Sequence, residues 1–445
     1  MSEQLARRKG APREIYADLP DFGSGRISTE RFTSTAYMER EWEQLWSRTW
    51  LCGPHLSELP GRGDYIVEEI GRQSLIFVRG ADDTIRAFHN VCPHRGNQLV
   101  TDCEQGTTAG LYCRYHGWRF GLDGHCRSIP DIEEFPQLEG DNLDDETSLS
   151  EVRTEQWNGF VWYNLDPDCK PLAEHIGPLA DHIAPYQMER QRILGFVTFE
   201  WPCNWRIAAD AFNEAYHFAA QHPEMVRYGD DMPEFEFLGE HSVMKLDYGT
   251  VSQKIKDRAT INPHIREWMA TYYGMDETNY AGEAKDVAAE HRRRIRAGEA
   301  SGRANYDALE DRQITEDWAY MCFPHVSWNV LAEGGGGYRY RPHPTDPNRC
   351  YYDLYLYGFV DESAPPPRPV RKVLSPGADL AVDMPVLPKL AATAISQDMA
   401  SVGFVQNGMH SLGFKGLLLG NQEHRLRHFY RVLDSYVARD PRPAT

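Results

Sequence analysis

The chain has 445 residues, 41% hydrophobic and 25% charged, an ordinary globular composition that is too long for one core and suits two or three domains. With 47 Lys+Arg against 66 Asp+Glu the formal net charge is −19, which repels phosphate backbones and anionic bilayers and argues against nucleic-acid or membrane partners. No segment reaches the roughly 20 apolar residues of a membrane helix, residues 1–20 lack an apolar signal core, and nine cysteines are too sparse for a disulfide scaffold, so the expectation is a cytoplasmic chain.

In chain order, TERFTSTAYMEREWEQLW (29–46) predicts an early helix, part of an N-terminal segment 1–47 expected to pack on the last domain. From 48 to 167 the texture is β-like: YIVEEI, SLIFVRG, TIRAFHNV and EQWNGFVWYNL, punctuated by Gly, Asp and Pro, predict a compact all-β domain. Residues 168–445 mix elements. Helices are expected at 172–188, 204–221, 263–312 in pieces and 388–409, and strands at ILGFVTFEW, HSVMKLDYG, HVSWNVLAE, YRYRPHP and RCYYDLYLYGFV. The fold class is therefore α+β, an all-β unit followed by an antiparallel sheet with a long C-terminal helix. The charged stretch 252–312 reads as a lid or an insertion, and HRRRIR (291–296) as a solvated helix face. EGGGGY (333–338) lacks the Lys-Ser/Thr of a phosphate loop and reads as a hairpin turn. No dinucleotide fingerprint is present, so any reducing equivalents must come from another protein.

Two loops carry the strongest chemical signal. VCPHRGNQL and LYCRYHGWRFG place Cys92 and His94, then Cys113 and His116, each pair in a loop with a glycine, Gly96 or Gly117. Two thiolates and two imidazoles suit either tetrahedral zinc or a Rieske [2Fe–2S] centre, in which the cysteines hold one iron and the histidines the other. Zinc modules usually pair Cys with Cys and His with His. Here the types alternate across two matched loops, which favours the cluster. CPHRG followed by CRYHGWRFGLDG resembles the Rieske domain of ring-hydroxylating oxygenase α subunits, with a slightly long spacer of 18 residues between His94 and Cys113. Cys52, Cys103, Cys126, Cys169, Cys203, Cys322 and Cys350 show no such pairing and read as buried thiols; His89 and His125 read as structural.

A Rieske centre moves single electrons and leaves open where they go. Non-haem Fe(II) that binds O2 uses two histidines and a carboxylate. NWRIAADAFNEAYHFAAQHP (204–223) offers His217 and His222, five apart, off-phase for one helix face. Pro223 disfavours a helical conformation at His222, so the last turn is expected to loosen and bring the two together. This stretch resembles the catalytic-iron segment of the same family. The resemblance implies His217, His222 and a downstream Asp as ligands, and Asp398 is the one acidic residue of KLAATAISQDMASVGFVQNG (389–408). It also implies an electron relay between subunits at Glu214, where most of the family has Asp, and Asp210 is a candidate partner for a ligating imidazole. The Glu resembles a minority of members, some acting on quaternary ammonium compounds.

The family implies a helix-grip (START-like) catalytic domain enclosing an apolar pocket. Ala209, Phe212, His325 and Ser327 are candidate lining residues that read equally as core. It further implies a [2Fe–2S] cluster and mononuclear Fe(II), electrons from a reductase with or without a ferredoxin, O2, a small organic substrate, and a homotrimer with or without a β subunit. The expected activity is di- or monooxygenation of an aromatic or related substrate. The alternatives are oxidative demethylation of a quaternary ammonium compound, a Rieske carrier without oxygenase activity, and a zinc scaffold.

Overall fold

The apolar runs of the first third form short strands that pair antiparallel. They are β1 (Leu51–His55), β2 (Asp64–Ile70), β3 (Gln73–Arg79), β4 (Ile85–His89), β5 (Gln105–Thr107), β6 (Leu111–Tyr112), β7 (Arg119–Phe120), β8 (Cys126–Ser128), β9 (Glu151–Trp157) and β10 (Phe160–Asn164). The computed structural model describes residues 14–101, 104–138, 143–375 and 377–439, so Cys103 lies outside the described residues. Seven strands form one sheet in the order β1-β10-β9-β4-β3-β2-β5, and β6-β7-β8 form a small second one. LIFV (75–78) is continuously apolar because β3 is buried there on both faces. Alternation sends Leu75 and Phe77 into the main core, and Ile76 and Val78 into a smaller one that also contains Cys92, Cys113 and Trp118.

The second sheet has eight strands: β11 (Arg192–Trp201), β12 (Glu234–Leu238), β13 (His241–Leu246), β14 (Asp317–Cys322), β15 (Val326–Leu331), β16 (Gly334–Pro342), β17 (Cys350–Gly358) and β18 (Lys372–Leu374). Their order is β12-β13-β14-β15-β16-β17-β11-β18, antiparallel except for β18 beside β11. The EGGGGY expectation needs correction. The turn is Ala332–Glu333, and the glycines lie inside β16, paired with β15 and β17. A Cβ at Gly335 would fall 2.0 Å from the Asn329 carbonyl oxygen, and one at Gly337 2.2 Å from the Tyr355 ring. Glycine is needed there for close approach across the sheet.

The helices used below are α1 (Thr35–Glu41), α2 (Trp205–Ala211), α3 (Phe218–Gln221), α4 (Pro263–Tyr272), α5 (Val287–Arg296), α6 (Lys389–Met409) and α7 (His424–Val437). The arginines of HRRRIR lie at least partly exposed on α5 as expected, but His291 is buried. α6 buries Leu390, Ile395, Asp398, Val402, Gln406 and Met409, one stripe at helical spacing. α7, absent from the expected elements, buries Leu426, Phe429, Tyr430, Leu433 and Tyr436 in the main core. The N-terminal segment lies against α7 and α2: Arg31 forms an ion pair with Asp434, Glu41 on α1 pairs with Arg206, and Ile27 bridges Leu417.

The two large sheets share the main core, which takes side chains from both. A buried charge cluster crosses their seam. Arg339 lies 2.9 Å from Glu68 and 3.0 Å from Asp353, and Arg371 lies 2.6 Å from Glu68 and 2.8 Å from Glu58. Among the described residues no helix is long and apolar enough to cross a membrane.

Candidate metal centres and the cavity between helices α4 and α6

The two Cys/His loops have one backbone design. In the first, the Gly96 N–H donates to the Cys92 carbonyl at 3.0 Å and the Cys92 N–H to the Asn97 carbonyl at 2.8 Å; in the second, Gly117 donates to Cys113 at 2.9 Å and Cys113 to Trp118 at 2.8 Å. Gly96 and Gly117 have φ of 75° and 80°, left-handed values that explain the glycine in each loop. Cys92 and Cys113 are buried and in contact, while His94 and His116 are half-buried with ring centroids 4.5 Å apart. The His94 ring also stacks on Trp118 at 5.1 Å, and its buried Nδ1 has no hydrogen-bond partner. Burial pushes the Cys92 thiol up to about 11, with the Cys113 thiol adding to the rise and the His94 and Arg95 N–H groups opposing it. A cation bound to the sulfur would reverse that preference.

The arrangement is thiol beside thiol and imidazole beside imidazole. Among the described residues, one set of three or more His, Cys, Asp or Glu side chains brings its ligand atoms within 4.8 Å of one another, and it is His217, His222 and Asp398. The four loop residues do not converge in that way, which fits two adjacent metal atoms better than a single tetrahedral zinc.

The second centre is assembled by breaking a helix. α2 starts at an Asn204 cap, whose side chain accepts from the Arg206 N–H at 3.1 Å, and ends at Phe212. The expected helix to 221 is therefore interrupted, and α3 is a single turn with His217 at its start and His222 at its end. At φ −124° and ψ 63° His222 is non-helical, as Pro223 requires. Gln406 of α6 accepts from the Asn204 N–H at 2.7 Å, joining α6 to the start of α2. Asp398 faces inward from α6, 5% exposed, and its Oδ1 lies 3.1 Å from His222 Nε2 and 3.9 Å from His217 Nε2.

Each imidazole is held through its other nitrogen. His222 Nδ1 donates to the Gln397 side-chain oxygen at 2.6 Å, and His217 Nδ1 donates to Glu214 Oε1. Both Nε2 lone pairs are thereby directed at the Asp398 carboxylate, acceptor against acceptor, and the buried His217 Nε2 has no partner. Burial disfavours the charged form of His217, but the Glu214 hydrogen bond and the Glu214 and Asp398 charges outweigh it and raise its pKa. Two imidazole nitrogens and a carboxylate turned inward, in surroundings that favour positive charge, form a site suited to a cation.

Residues 188–439 match the profile of the ring-hydroxylating α subunit catalytic domain, and residues 49–139 match the Rieske [2Fe–2S] domain. The chain belongs to the ring-hydroxylating α subunit family. It is 34% identical over 202 residues to the carnitine monooxygenase oxygenase subunit of Escherichia coli K12, an alignment covering 44% of this chain and 52% of that one. It is 35% identical over 202 residues to the large oxygenase component of a Pseudomonas aeruginosa naphthalene 1,2-dioxygenase system, covering 44% of each. The chain thus spans about half the length of the curated relatives it matches. Its fold is that of a quaternary ammonium Rieske monooxygenase (TM-score 0.68, 18% identity, covering 96% of this chain and 99% of that one) and of a naphthalene 1,2-dioxygenase variant bound to phenanthrene (TM-score 0.64, 19% identity, 95% of each).

In this α subunit a cavity of about 470 Å³ reaches the second centre and is lined by His217, His222 and Asp398. Its walls take residues from α4, α5 and α6 and from the glycines of β16. The charged stretch 252–312 is therefore a cavity wall. Of the four candidate lining residues, Phe212 lines the cavity and the other three do not. Ala209 is core, and its carbonyl accepts from Asn213. Ser327 hydrogen-bonds to Asn213 at 3.1 Å. His325 belongs to the seam, where its Nε2 accepts the Cys52 N–H at 3.0 Å in keeping with a burial-lowered pKa. Asp210 is also corrected. It accepts from the Tyr430 hydroxyl at 2.5 Å rather than from an imidazole, and burial pushes its carboxyl up to about 8, with the nearby Glu214 charge adding to the rise against Tyr430 and Arg206. Gln397, the residue before Asp398, is the partner of His222, and no expectation from the sequence covered it. The wall residues Tyr228, Tyr248, Trp268 and Tyr272 carried no sequence signal beyond being aromatic.

Proposed function

We propose that this chain is the terminal oxygenase of a multicomponent system. His217, His222 and Asp398 hold mononuclear Fe(II), and Cys92, Cys113, His94 and His116 hold a [2Fe–2S] cluster. When bound, the iron supplies O2 activation and the cluster supplies single electrons. The observation that carries the reading is the trio of inward-facing ligand side chains at the wall of the cavity. Glu214 and Gln397 keep the Nδ1 protons of His217 and His222 in place, so that both Nε2 atoms stay free for metal. The mainly apolar, aromatic walls offer an organic substrate a binding surface beside the trio.

Electrons come from an external reductase, with or without a ferredoxin. Glu214, bonded to His217 and nearly buried, serves as the relay toward a neighbouring subunit of a homotrimer, with or without a β subunit. The reaction is the hydroxylation of an organic substrate. The matched relatives include both a carnitine monooxygenase and a naphthalene dioxygenase component, so dioxygenation and monooxygenation with demethylation are both carried forward.

Iron and acid-labile sulfide analysis tests the assignment. About three irons and two sulfides per chain support it, and about two irons with two sulfides indicate a carrier without the second centre. Turnover with a surrogate reductase under ¹⁸O2, scored by product mass, tests the oxygenase step.

A further inference from the structure

Four successive glycines, Gly334 to Gly337, stand in β16. Glycine weakens a strand, because it gives up the most backbone entropy on folding and packs nothing. At three of the four positions the sheet requires it. An added Cβ would collide with the Tyr357 carbonyl oxygen at Gly334, with the Asn329 carbonyl oxygen at Gly335 and with the Tyr355 ring at Gly337. Gly336 is different. A Cβ there would lie 3.2 Å from the Tyr338 hydroxyl oxygen and 3.8 Å from Leu356 Cδ2, and its nearest neighbours are all side-chain atoms. The first of them is the tip of a side chain, which a shift of a few tenths of an ångström clears. The backbone at Gly336 is not left-handed either. Neither packing nor conformation explains this glycine.

Its place in the sheet does. Gly336 pairs with Asn329 on β15 and with Leu356 on β17, and residues paired across antiparallel strands share a face. Tyr338, two residues along β16, is on that face as well. Asn329, Leu356, Tyr338 and Gly336 itself all line the cavity. A side chain added at 336 would therefore stand among these three, in cavity space. The Tyr338 ring packs on Phe212 at 4.5 Å and lies within reach of the Asp398 charge, which sets this part of the sheet near the candidate iron site.

We propose that Gly336 sets the bulk of the substrate this cavity admits: the side chain it lacks leaves a recess in the sheet face, and the body of the substrate enters it. The strand gives up stability at this position, and cavity space is what it gains. One added carbon in an apolar pocket discriminates between ligands by about tenfold or more, so a residue of ordinary size at 336 would select for smaller substrates. The inference deepens the oxygenase reading by naming a position that selects its substrate, and it rests on the cavity being the substrate site. Its test reads binding and unfolding, not turnover.

Equilibrium dialysis of the purified protein, with its iron content measured, uses benzyl alcohol and 2-naphthylmethanol as probes. They share a polar group and differ by one fused ring. Wild type is expected to bind the naphthyl probe about tenfold or more tighter, because the second ring buries more apolar surface. Gly336→Val suits a strand and fills the recess. It should weaken the naphthyl probe about tenfold or more and leave the benzyl probe within about threefold, with iron content and cluster spectrum unchanged. In urea, Gly336→Ala should unfold at the wild-type midpoint or above it, whereas Gly335→Ala should unfold at a lower one. Four results would each overturn the proposal: no preference for the naphthyl probe in wild type, no binding of either probe, an unchanged ratio or an equal loss of both probes in folded Gly336→Val, and a Gly336→Ala as destabilised as Gly335→Ala. If Gly336→Val does not fold, dialysis of Gly336→Ala decides, with a smaller loss confined to the naphthyl probe expected and an unchanged ratio refuting. A chain with about two irons whose Gly336 variants still sort the probes by size would lose the oxygenase reading and keep this one.

Discussion

Replacing Gln397 with leucine separates the metal-site reading from a coincidental cluster of polar side chains. Gln397 accepts the Nδ1 proton of His222 at 2.6 Å, and His222 is 1% exposed, so water cannot substitute. With the acceptor gone, the proton is better placed on Nε2, where Asp398 Oδ1 waits at 3.1 Å. That hydrogen bond would close the point at which the three ligands meet, and Fe(II) would have to displace it. Losing an acceptor from a buried donor costs about 1–3 kcal/mol, and removing such supporting partners weakens metal sites by about 10–100-fold; the two ranges agree. The assay is an anaerobic Fe(II) titration against a chromophoric chelator, with the visible spectrum of the cluster as an internal control for folding. Gln397→Glu keeps an acceptor oxygen and should stay within a few-fold of wild type. If Gln397→Leu binds Fe(II) as tightly as wild type while Asp398→Ala does not, the tautomer argument is wrong.

Asp398→Ala should lose the mononuclear iron and all turnover while keeping the cluster spectrum; metal analysis of the purified variant checks this. Glu214→Gln retains an acceptor for His217 but removes the charge. Iron should remain and electron arrival in single turnover should slow by about tenfold or more, so an unchanged rate counts against the relay. Glu68→Ala leaves Arg339 and Arg371 short of a buried counter-charge and should cost about 3–5 kcal/mol in urea unfolding. Asp210 has a folded pKa of about 8 against an ordinary 3.8, so between those values the native chain holds a proton that the unfolded chain releases. Its contribution to stability is present below that window and falls as pH rises through it. Asp210→Asn should remove that decline, gaining on wild type by a few kcal/mol, to order of magnitude, between pH 5 and pH 9; parallel unfolding curves would show that Asp210 titrates normally.

The two Cys/His loops and the His217–His222 segment were legible because metal chemistry fixes residue type and spacing, and Pro223 marked one local break. The second break, at Phe212, had no marker: AFNEAYHF contains good helix formers, and what interrupts it is tertiary, with Asn213 turned back to bond Ala209 and Ser327. α7 escaped notice because its period is masked. Arg425, Arg427 and His428 are buried beside the apolar stripe, bonding to Ser242, to the backbone oxygens of Gly25 and Leu419, and to that of Gly239. Polar letters on a core face read as solvent. The β16 glycines misled in the opposite direction, since a turn and a strand pressed against tyrosine rings both call for glycine. The cavity wall was invisible because its residues meet only in three dimensions.

The charged seam joining the two sheets has a bearing on how such proteins diversify. Arg339 is anchored by an acid from each half, Glu68 on one side and Asp353 on the other. A recombination event exchanging the first half for a counterpart without an acid at position 68 would leave Arg339 with Asp353 alone and Arg371 short of one buried partner. The seam therefore ties the sheet that carries the Cys/His loops to the sheet that walls the cavity through charge pairs that neither half can complete alone.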